Sequence, residues 1–132
     1  MSETKNSRFE QAASLVKIHG IISIVFGAIG VFFGLLFLTL FGIALGSAYS
    51  DSDAIGYLLL FVGTALFWVV PHVYLIIAGA TLIRIPDPKL TKTLTIINLI
   101  FGVFWNYILL VFAIISLTQS RDYEEGYEHR KK

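Results

Sequence analysis

One histidine and two asparagines inside apolar stretches are the side chains most able to do chemistry in this chain: His72, Asn98 and Asn106. A histidine that lies within a membrane can transfer a proton or ligate haem or a pigment. The simpler interpretation, which we favour, is a neutral imidazole that hydrogen-bonds to one of the asparagines or to a carbonyl released by Pro71. We therefore expect no cofactor, and His72 is the candidate ligand for any that binds.

The sequence contains no arrangement of residues typical of an enzyme. Ser23, Ser116, His19 and His72 belong to no motif that joins a nucleophile to a base. The chain has no cysteine, which excludes disulfides, thiolate catalysis and iron–sulfur clusters. The acidic turn at 51–53 has the composition of a solvated turn rather than of a metal site. We therefore predict that the protein is not an enzyme and binds no metal.

The composition is that of a membrane protein. Hydrophobic residues make up 56% of the 132 residues and charged residues 14%, against about 25% charged in an average soluble domain. The runs 18–50, 54–83 and 93–120 contain no Asp, Glu, Lys or Arg, and each exceeds the ~20 residues that a bilayer crossing requires. We predict an all-α protein, a transmembrane helical bundle in contact with membrane lipids. A net charge of +1 leaves no basic face for a nucleic acid.

Long apolar helices must therefore position the candidate residues. We predict one integral membrane domain over residues 1–132, with three long spans and a charged tail that has no apolar face to bury and is disordered or lies outside the membrane. The spans lie at about 18–46, 54–83 and 90–117, and the tail is 118–132.

The sequence also predicts where the helices bend and end. Pro71 predicts a kink inside the second span, and the prolines of the segment 84–92 end that span. Apolar residues at helical spacing in 6–17 predict a short interfacial helix before the first span. The alternative for these residues is a frayed polar tail.

The basic residues indicate which side of the membrane each segment occupies. Lys and Arg occur before the first span and between the second and third spans, whereas the loop between the first and second carries two aspartates and no base. This pattern predicts a cytoplasmic N-terminus. Three spans would place the basic C-terminal tail outside, against the same rule. A fourth span, made by splitting the last apolar run, would remove the conflict.

Periodicity in the last run favours three spans over four. At about 100° per residue, small and polar residues share a narrow face of one continuous helix. They are Thr91, Thr95, Asn98, Gly102, Asn106, Ala113, Ser116 and Ser120. A hairpin near 104–107 would destroy this alignment, and the run is too short for two full spans. We therefore predict an unbroken third helix.

Small residues predict where the helices pack. Glycines share one face of the first span, and two pairs of them have the G-x-x-x-G spacing that lets apolar helices approach closely in lipid. This face is expected to pack on another helix of the same chain or of a partner. The expected packing residues are Gly27, Gly30, Gly34, Gly42, Gly46, Asn98, Gly102 and Asn106.

The segment 71–102 has a recognisable order of motifs. A proline opens the second half of a span, Ile-Ile-Ala-Gly follows at 76–79, Arg84 begins a basic loop, and Ile-Asn-Leu stands at 97–99. In this order the segment resembles a group of small uncharacterised bacterial membrane proteins, although Phe-Trp-Asn-Tyr at 104–107 replaces the Pro-Gly-Thr of that group. The resemblance implies a bacterial inner membrane protein and brings no activity.

These features favour an accessory or assembly subunit that packs against other transmembrane helices, in a homo- or hetero-oligomer, without catalysis. The spans are longer and richer in small residues than a solitary bundle needs. The alternative is an oligomeric channel or transporter component with Asn98, Asn106 and His72 lining the pore. The spans contain no Asp, Glu, Lys or Arg, which argues against an ion-coupled carrier that acts alone.

Overall fold

The computed structural model describes residues 2–131 of the chain and the side chains of residues 7–128. All regular structure in this part is helical, which confirms the predicted all-α class. A π-helical segment, Ala65–Val69, joins the second α-helix to the third. The α-helices are α1 (Ser2–Gly46), α2 (Asp51–Thr64), α3 (Val70–Ile83), α4 (Pro88–Trp105), α5 (Tyr107–Thr118) and α6 (Ser120–Lys131).

Two of these stretches are long and apolar enough to cross a membrane. They are Ser7–Gly46 within α1 and Asp51–Ile83, which runs from α2 to the end of α3. The first two predicted spans lie within them. Large apolar side chains along both stretches are exposed, such as Phe32 at 66% and Leu59 at 67%. A core helix of a soluble protein would bury such side chains.

Short polar side chains fix the turns that bound these helices. Ser50 Oγ accepts a hydrogen bond from the Asp53 N–H at 3.2 Å and caps α2. Asp87 Oδ1 accepts from the Leu90 N–H at 3.0 Å and caps α4, so the break predicted at 84–92 is present. Ile85 in that turn has a φ of 52°, a left-handed conformation that strains a β-branched residue.

The predicted unbroken third helix is wrong, because the helix is interrupted at Asn106. This residue has extended backbone angles, with φ −154° and ψ 105°, between the end of α4 and the start of α5. Its side-chain oxygen accepts from the N–H groups of Ile108 at 3.0 Å and Leu109 at 3.2 Å. An asparagine that caps a new helix competes with helix continuation. The helices α4 and α5 then pack against each other as a hairpin.

The hairpin explains why periodicity was misleading. The polar face of α4 that includes Thr91, Thr95 and Asn98 is buried, and so are Ala113 and Ser116 of α5. In one straight helix these residues would lie along a single face. In the hairpin, the same residues of α4 and α5 face each other and the rest of the core. The periodicity of the sequence therefore does not distinguish the two arrangements.

The chain divides into two compact units. Unit 1 comprises Met1–Ile24 and Ile77–Lys132, and unit 2 comprises Val25–Ile76. Unit 1 thus contains the beginning of α1, the second half of α3 and the helices α4 to α6. Unit 2 contains the rest of α1, the whole of α2, the π-helical segment and the first half of α3.

The C-terminal tail was predicted to have no apolar face to bury, and this prediction is wrong. Its residues form α6, which contributes Tyr123 to a core with Phe9 and Leu82 in unit 1. The rings of Phe9 and Tyr123 lie 5.6 Å apart, and the Tyr123 hydroxyl donates to the Pro86 carbonyl. Burial raises the pKa of Tyr123 above its usual value, which keeps this donor protonated.

The N-terminal residues differ from the prediction in the same way. The residues 6–17 are helical as predicted, but Phe9, Ala12, Ala13 and Val16 are buried in the core of unit 1, whereas we expected this face at the membrane interface. They belong to α1, which continues through them without a break. The contacts of Phe9, Tyr123 and Pro86 bring the start of α1, the turn before α4 and α6 to one end of unit 1. The three basic segments of the sequence therefore meet there.

Candidate functional site

The predicted packing glycines of unit 2 lie against the π-helical segment and α3. A Cβ on Gly27 would lie 2.8 Å from the His72 carbonyl oxygen, and a Cβ on Gly30 would overlap the His72 ring. A Cβ on Gly34 would lie 2.7 Å from a methyl group of Val69. These three positions leave no room for a side chain, so glycine is required for the approach of the two helices.

The imidazole of His72 is held by the main chain beside Pro71. Its Nδ1 lies 2.7 Å from the Trp68 carbonyl oxygen, and because a carbonyl only accepts, Nδ1 is the donor. The sequence analysis expected Asn98, Asn106 or the carbonyl released by Pro71 as the partner of His72, whereas the observed partner is the Trp68 carbonyl. His72 is 7% exposed, and its ring lies against the Trp68 ring, with centroids 4.8 Å apart and the ring planes tilted by 33°.

Trp68 links the π-helical segment to α1. Its Nε1–H donates to the Gly30 carbonyl at 2.9 Å. The segment turns the indole toward α1 just before Pro71, which cannot donate a main-chain hydrogen bond. Sequence reasoning placed a kink here and did not predict the π-helical turn or the role of Trp68. The tryptophan was visible as a donor in an apolar run, but its partner on α1 was not.

The remaining glycines of unit 2 are in open surroundings. A Cβ on Gly42 would make only ordinary contact with Phe61, at 3.6 Å. No described atom lies within 4 Å of a Cβ placed on Gly46, Gly56 or Gly63. The helix α2, which is described throughout, buries none of its residues. The predicted packing glycines of α1 therefore differ in their environment, since those at 27–34 are covered and Gly46 is open.

In unit 1, α1 and α3 touch through main chain at two glycines. A Cβ on Gly20 would lie 2.7 Å from the Gly79 carbonyl oxygen, and a Cβ on Gly79 would overlap the Gly20 carbonyl. Gly20 and Gly79 were not among the predicted packing residues. They lie in two different predicted spans, and nothing in the sequence indicated that these two glycines are in contact.

Asn98 pairs with His19, which the sequence analysis considered only for a catalytic motif and not as a partner of an asparagine. Its side-chain Nδ2 lies 3.1 Å from His19 Nε2, and both residues are 0% exposed. The amide Nδ2 is a donor, so His19 Nε2 accepts and Nδ1 carries the imidazole proton. Neither His19 Nδ1 nor Asn98 Oδ1 has a hydrogen-bond partner among the described residues.

Gly102 and Asn106 shape the hairpin. A Cβ on Gly102 would lie 2.6 Å from the Leu110 main-chain nitrogen, so glycine permits the close approach of α4 to α5 near the turn. Asn106 caps α5, as described above. Its side-chain oxygen accepts two hydrogen bonds within the hairpin, a local role that the predicted straight helix did not include.

The final question about the site is whether its side chains could bind a metal ion. Among the residues that the structure describes, no group of three His, Cys, Asp or Glu side chains is close enough to bind a metal ion. His72 and His19 are each engaged in a hydrogen bond within one unit.

No family model, curated protein or solved structure matches the chain. The resemblance to small bacterial membrane proteins stays a prediction. The contacts within each unit, rather than relatives, must therefore support any assignment of function.

Proposed function

We propose that this chain is an integral membrane protein of the bacterial inner membrane that crosses the bilayer twice. The stretches Ser7–Gly46 and Asp51–Ile83 have the length and apolar surface for this role. The helix α5, at ~1.5 Å per residue, is too short to cross a hydrocarbon layer of ~30 Å. The hairpin of α4 and α5 is then re-entrant, and it enters and leaves the bilayer on one side.

This topology satisfies the positive-inside rule for every basic segment. The three basic segments meet at one end of unit 1, and the cytoplasm is the expected location of that end. The acidic turn that holds Asp51 and Asp53 follows the far end of α1, on the outside. The conflict that three spans created for the C-terminal tail does not arise, because a re-entrant hairpin returns the tail to the cytoplasmic side.

In the membrane we propose that the protein acts as an accessory or assembly subunit without catalysis, which packs its helices against those of another membrane protein or a second copy. The observation that carries this proposal is the open environment of Gly56 and Gly63 on a helix that buries none of its residues. Leucine or phenylalanine covers a lipid-facing helix adequately, whereas a glycine leaves a groove. Gly56 and Gly63 are seven residues apart and share one face of α2, where a partner helix can approach closely.

The test is co-purification from native membranes in mild detergent, with crosslinking. Because the chain has no cysteine, Gly56→Cys introduces a single thiol at the proposed interface. We expect a defined larger complex that crosslinks through this thiol and that Gly63→Leu disrupts. Val62→Leu, on another face of α2, is the matched control and should leave the complex intact. A protein that stays monomeric, with the same behaviour in both variants, contradicts the proposal.

The alternative function is a channel or transporter component, with Asn98, Asn106 and His72 lining its pore. Each of the three side chains makes a hydrogen bond within its own unit, which supports a structural role. Solute flux in proteoliposomes that changes in Asn106→Leu but not in Asn106→Ser would favour the pore over the accessory function.

A further inference from the structure

Three buried polar atoms of unit 1 have no hydrogen-bond partner among the described residues: His19 Nδ1, Asn98 Oδ1 and Ser116 Oγ. His19 and Asn98 are 0% exposed and Ser116 is 5% exposed. A buried polar group without a partner costs about 1–3 kcal/mol. Groups in this situation are commonly satisfied by an ordered water molecule or a ligand.

A narrow cleft leads from the surface of unit 1 to Ser116. Its walls come from α1, α4, α5 and α6 and include Val16, Thr95 and Ser116, and it has room for about one water molecule. His19 follows Val16 by three residues, and Asn98 follows Thr95 by three. The His19–Asn98 pair does not line the cleft and lies three residues, about 4.5 Å along each helix axis, beyond Val16 and Thr95.

The charges around the cleft select its occupant. Lys92, whose side chain is exposed, is the charged residue that lines the cleft, and the lining has no acidic residue among the residues described. A cation would be repelled by Lys92 and would find no carboxylate. An anion at Ser116 would also lack donors, because the hydroxyl groups of Thr91, Thr95 and Tyr123 in the lining already donate to main-chain carbonyls, and the desolvation of the anion would not be compensated.

We propose that this cleft binds an uncharged solute of about the size of water, which both donates and accepts hydrogen bonds, with water itself as the simplest occupant. Ser116 Oγ provides a donor and an acceptor at the cleft wall. His19 Nδ1–H is a donor and Asn98 Oδ1 an acceptor about 4.5 Å further along the two helices. The site is thus a hydrated entrance to a polar centre that is otherwise enclosed by helices. It is independent of the proposed assembly function, which depends on unit 2.

A single cysteine tests access to the cleft, since the chain has no other thiol. Ser116→Cys places the thiol on the cleft wall, and Ala113→Cys is the matched control, because Ala113 is 0% exposed and does not line the cleft. The probe is hydrogen peroxide, which is uncharged, close to water in size and converts a thiol to a sulfenic acid with release of water. We expect oxidation of Ser116→Cys to be at least about tenfold faster, because the control must await local opening.

A thiosulfonate reagent that carries a sulfonate group should modify neither variant at an appreciable rate. Equal peroxide rates in the two variants would overturn the proposed cleft site. Modification of Ser116→Cys by the anionic reagent at an appreciable rate would overturn the selectivity of the cleft for small uncharged solutes.

A second experiment measures, in the parent chain, whether water reaches His19. In the detergent-solubilised chain with labelled histidine, the exchange of the His19 Nδ1 proton with water is followed by NMR. Ser116→Leu, which fills the cleft, should slow this exchange at least about tenfold, whereas Ile115→Leu on the exposed side of α5 should not. Exchange that is unaffected by Ser116→Leu would show that water does not reach His19 through the cleft.

Discussion

Asn106 is expected to help decide whether α4 and α5 form a hairpin or one long helix. Asn106→Ala removes the oxygen that accepts from the N–H groups of Ile108 and Leu109. A helix cap of this kind contributes about 1 kcal/mol, and alanine gains several tenths more as a helix-interior residue. Asn106→Ser keeps a capping oxygen and is the matched control.

Packing opposes the change and is the larger effect. Leu109 is 0% exposed and Tyr123 is 2% exposed, and burial of one such side chain from water contributes about 1.5–3 kcal/mol. Asn106→Ala alone should therefore weaken the hairpin without opening it. A Cβ added at Gly102 would lie 2.6 Å from the Leu110 nitrogen, and overpacking of this kind costs about 1–3 kcal/mol. The double variant Gly102→Leu with Asn106→Ala should favour the continuous helix in part of the population.

The location of the C-terminal tail reports the outcome. A continuous helix from Pro88 to Thr118 would exceed the ~30 Å of the hydrocarbon layer and carry α6 to the outside. Glu124→Cys in the cysteine-free chain is labelled with an impermeant reagent from each side of oriented vesicles, with Ser7→Cys as the cytoplasmic reference. We expect labelling from the cytoplasmic side alone in the parent chain and in the single variants at Asn106. In the double variant, a fraction should be labelled from outside.

Two results would refute this reasoning. One is labelling of Glu124→Cys from the outside alone in the parent chain, which would mean that α4 and α5 cross the bilayer as one helix. The other is a shift in Asn106→Ser as large as that in the double variant, because serine retains the cap.

The other predictions concern packing and protonation. Gly30→Ala should lower the free energy of unfolding by about 1–3 kcal/mol because its Cβ overlaps the His72 ring. Gly46→Ala places its Cβ in open space and should change the free energy of unfolding little. Denaturant titration in detergent compares the two variants, and equal stabilities would contradict the packing argument. Trp68→Phe removes the donor to the Gly30 carbonyl and should cost about 0.6–1 kcal/mol in the same titration, with no loss if that bond is absent. Burial raises the pKa of Tyr123. The stability that its neutral phenol contributes is therefore present below the unfolded-state pKa of about 10 and is lost as pH rises through the higher folded-state pKa. The difference in absorbance between the parent chain and Tyr123→Phe follows the ionisation of Tyr123, and a pKa at its usual value would contradict the prediction.

The interruption at Asn106 could not be found from periodicity. Small and polar residues in α4 and α5 lie on one face whether the two helices are collinear or folded back, because both arrangements turn those residues toward protein. The signal that the sequence did contain was the asparagine itself, since its side chain can cap a helix start. That signal is weak in an apolar run, where asparagine also serves as an interhelical hydrogen-bond partner.

The packing of the N-terminal and C-terminal segments against each other could not be predicted from the sequence. Residues near Tyr123 are mostly charged, and one buried aromatic side chain per helix face does not produce an amphipathic pattern. Phe9 was visible as part of an apolar face, but lipid and Tyr123 are equally good partners for such a face. Only the arrangement of α1, α6 and the turn at Pro86 decides between them.

The sequence by itself determined that the protein is helical, that residues 18–46 and 54–83 lie in long apolar helices, and that a turn follows Arg84. These features depend on composition, proline and capping residues, which act over a few neighbouring positions. The tertiary structure decided which distant residues meet: Gly20 with Gly79, His19 with Asn98, and α4 with α5. Such pairs depend on backbone approach between helices, and apolar helices of similar composition permit many alternative registers until close contacts at small residues and buried hydrogen bonds select one.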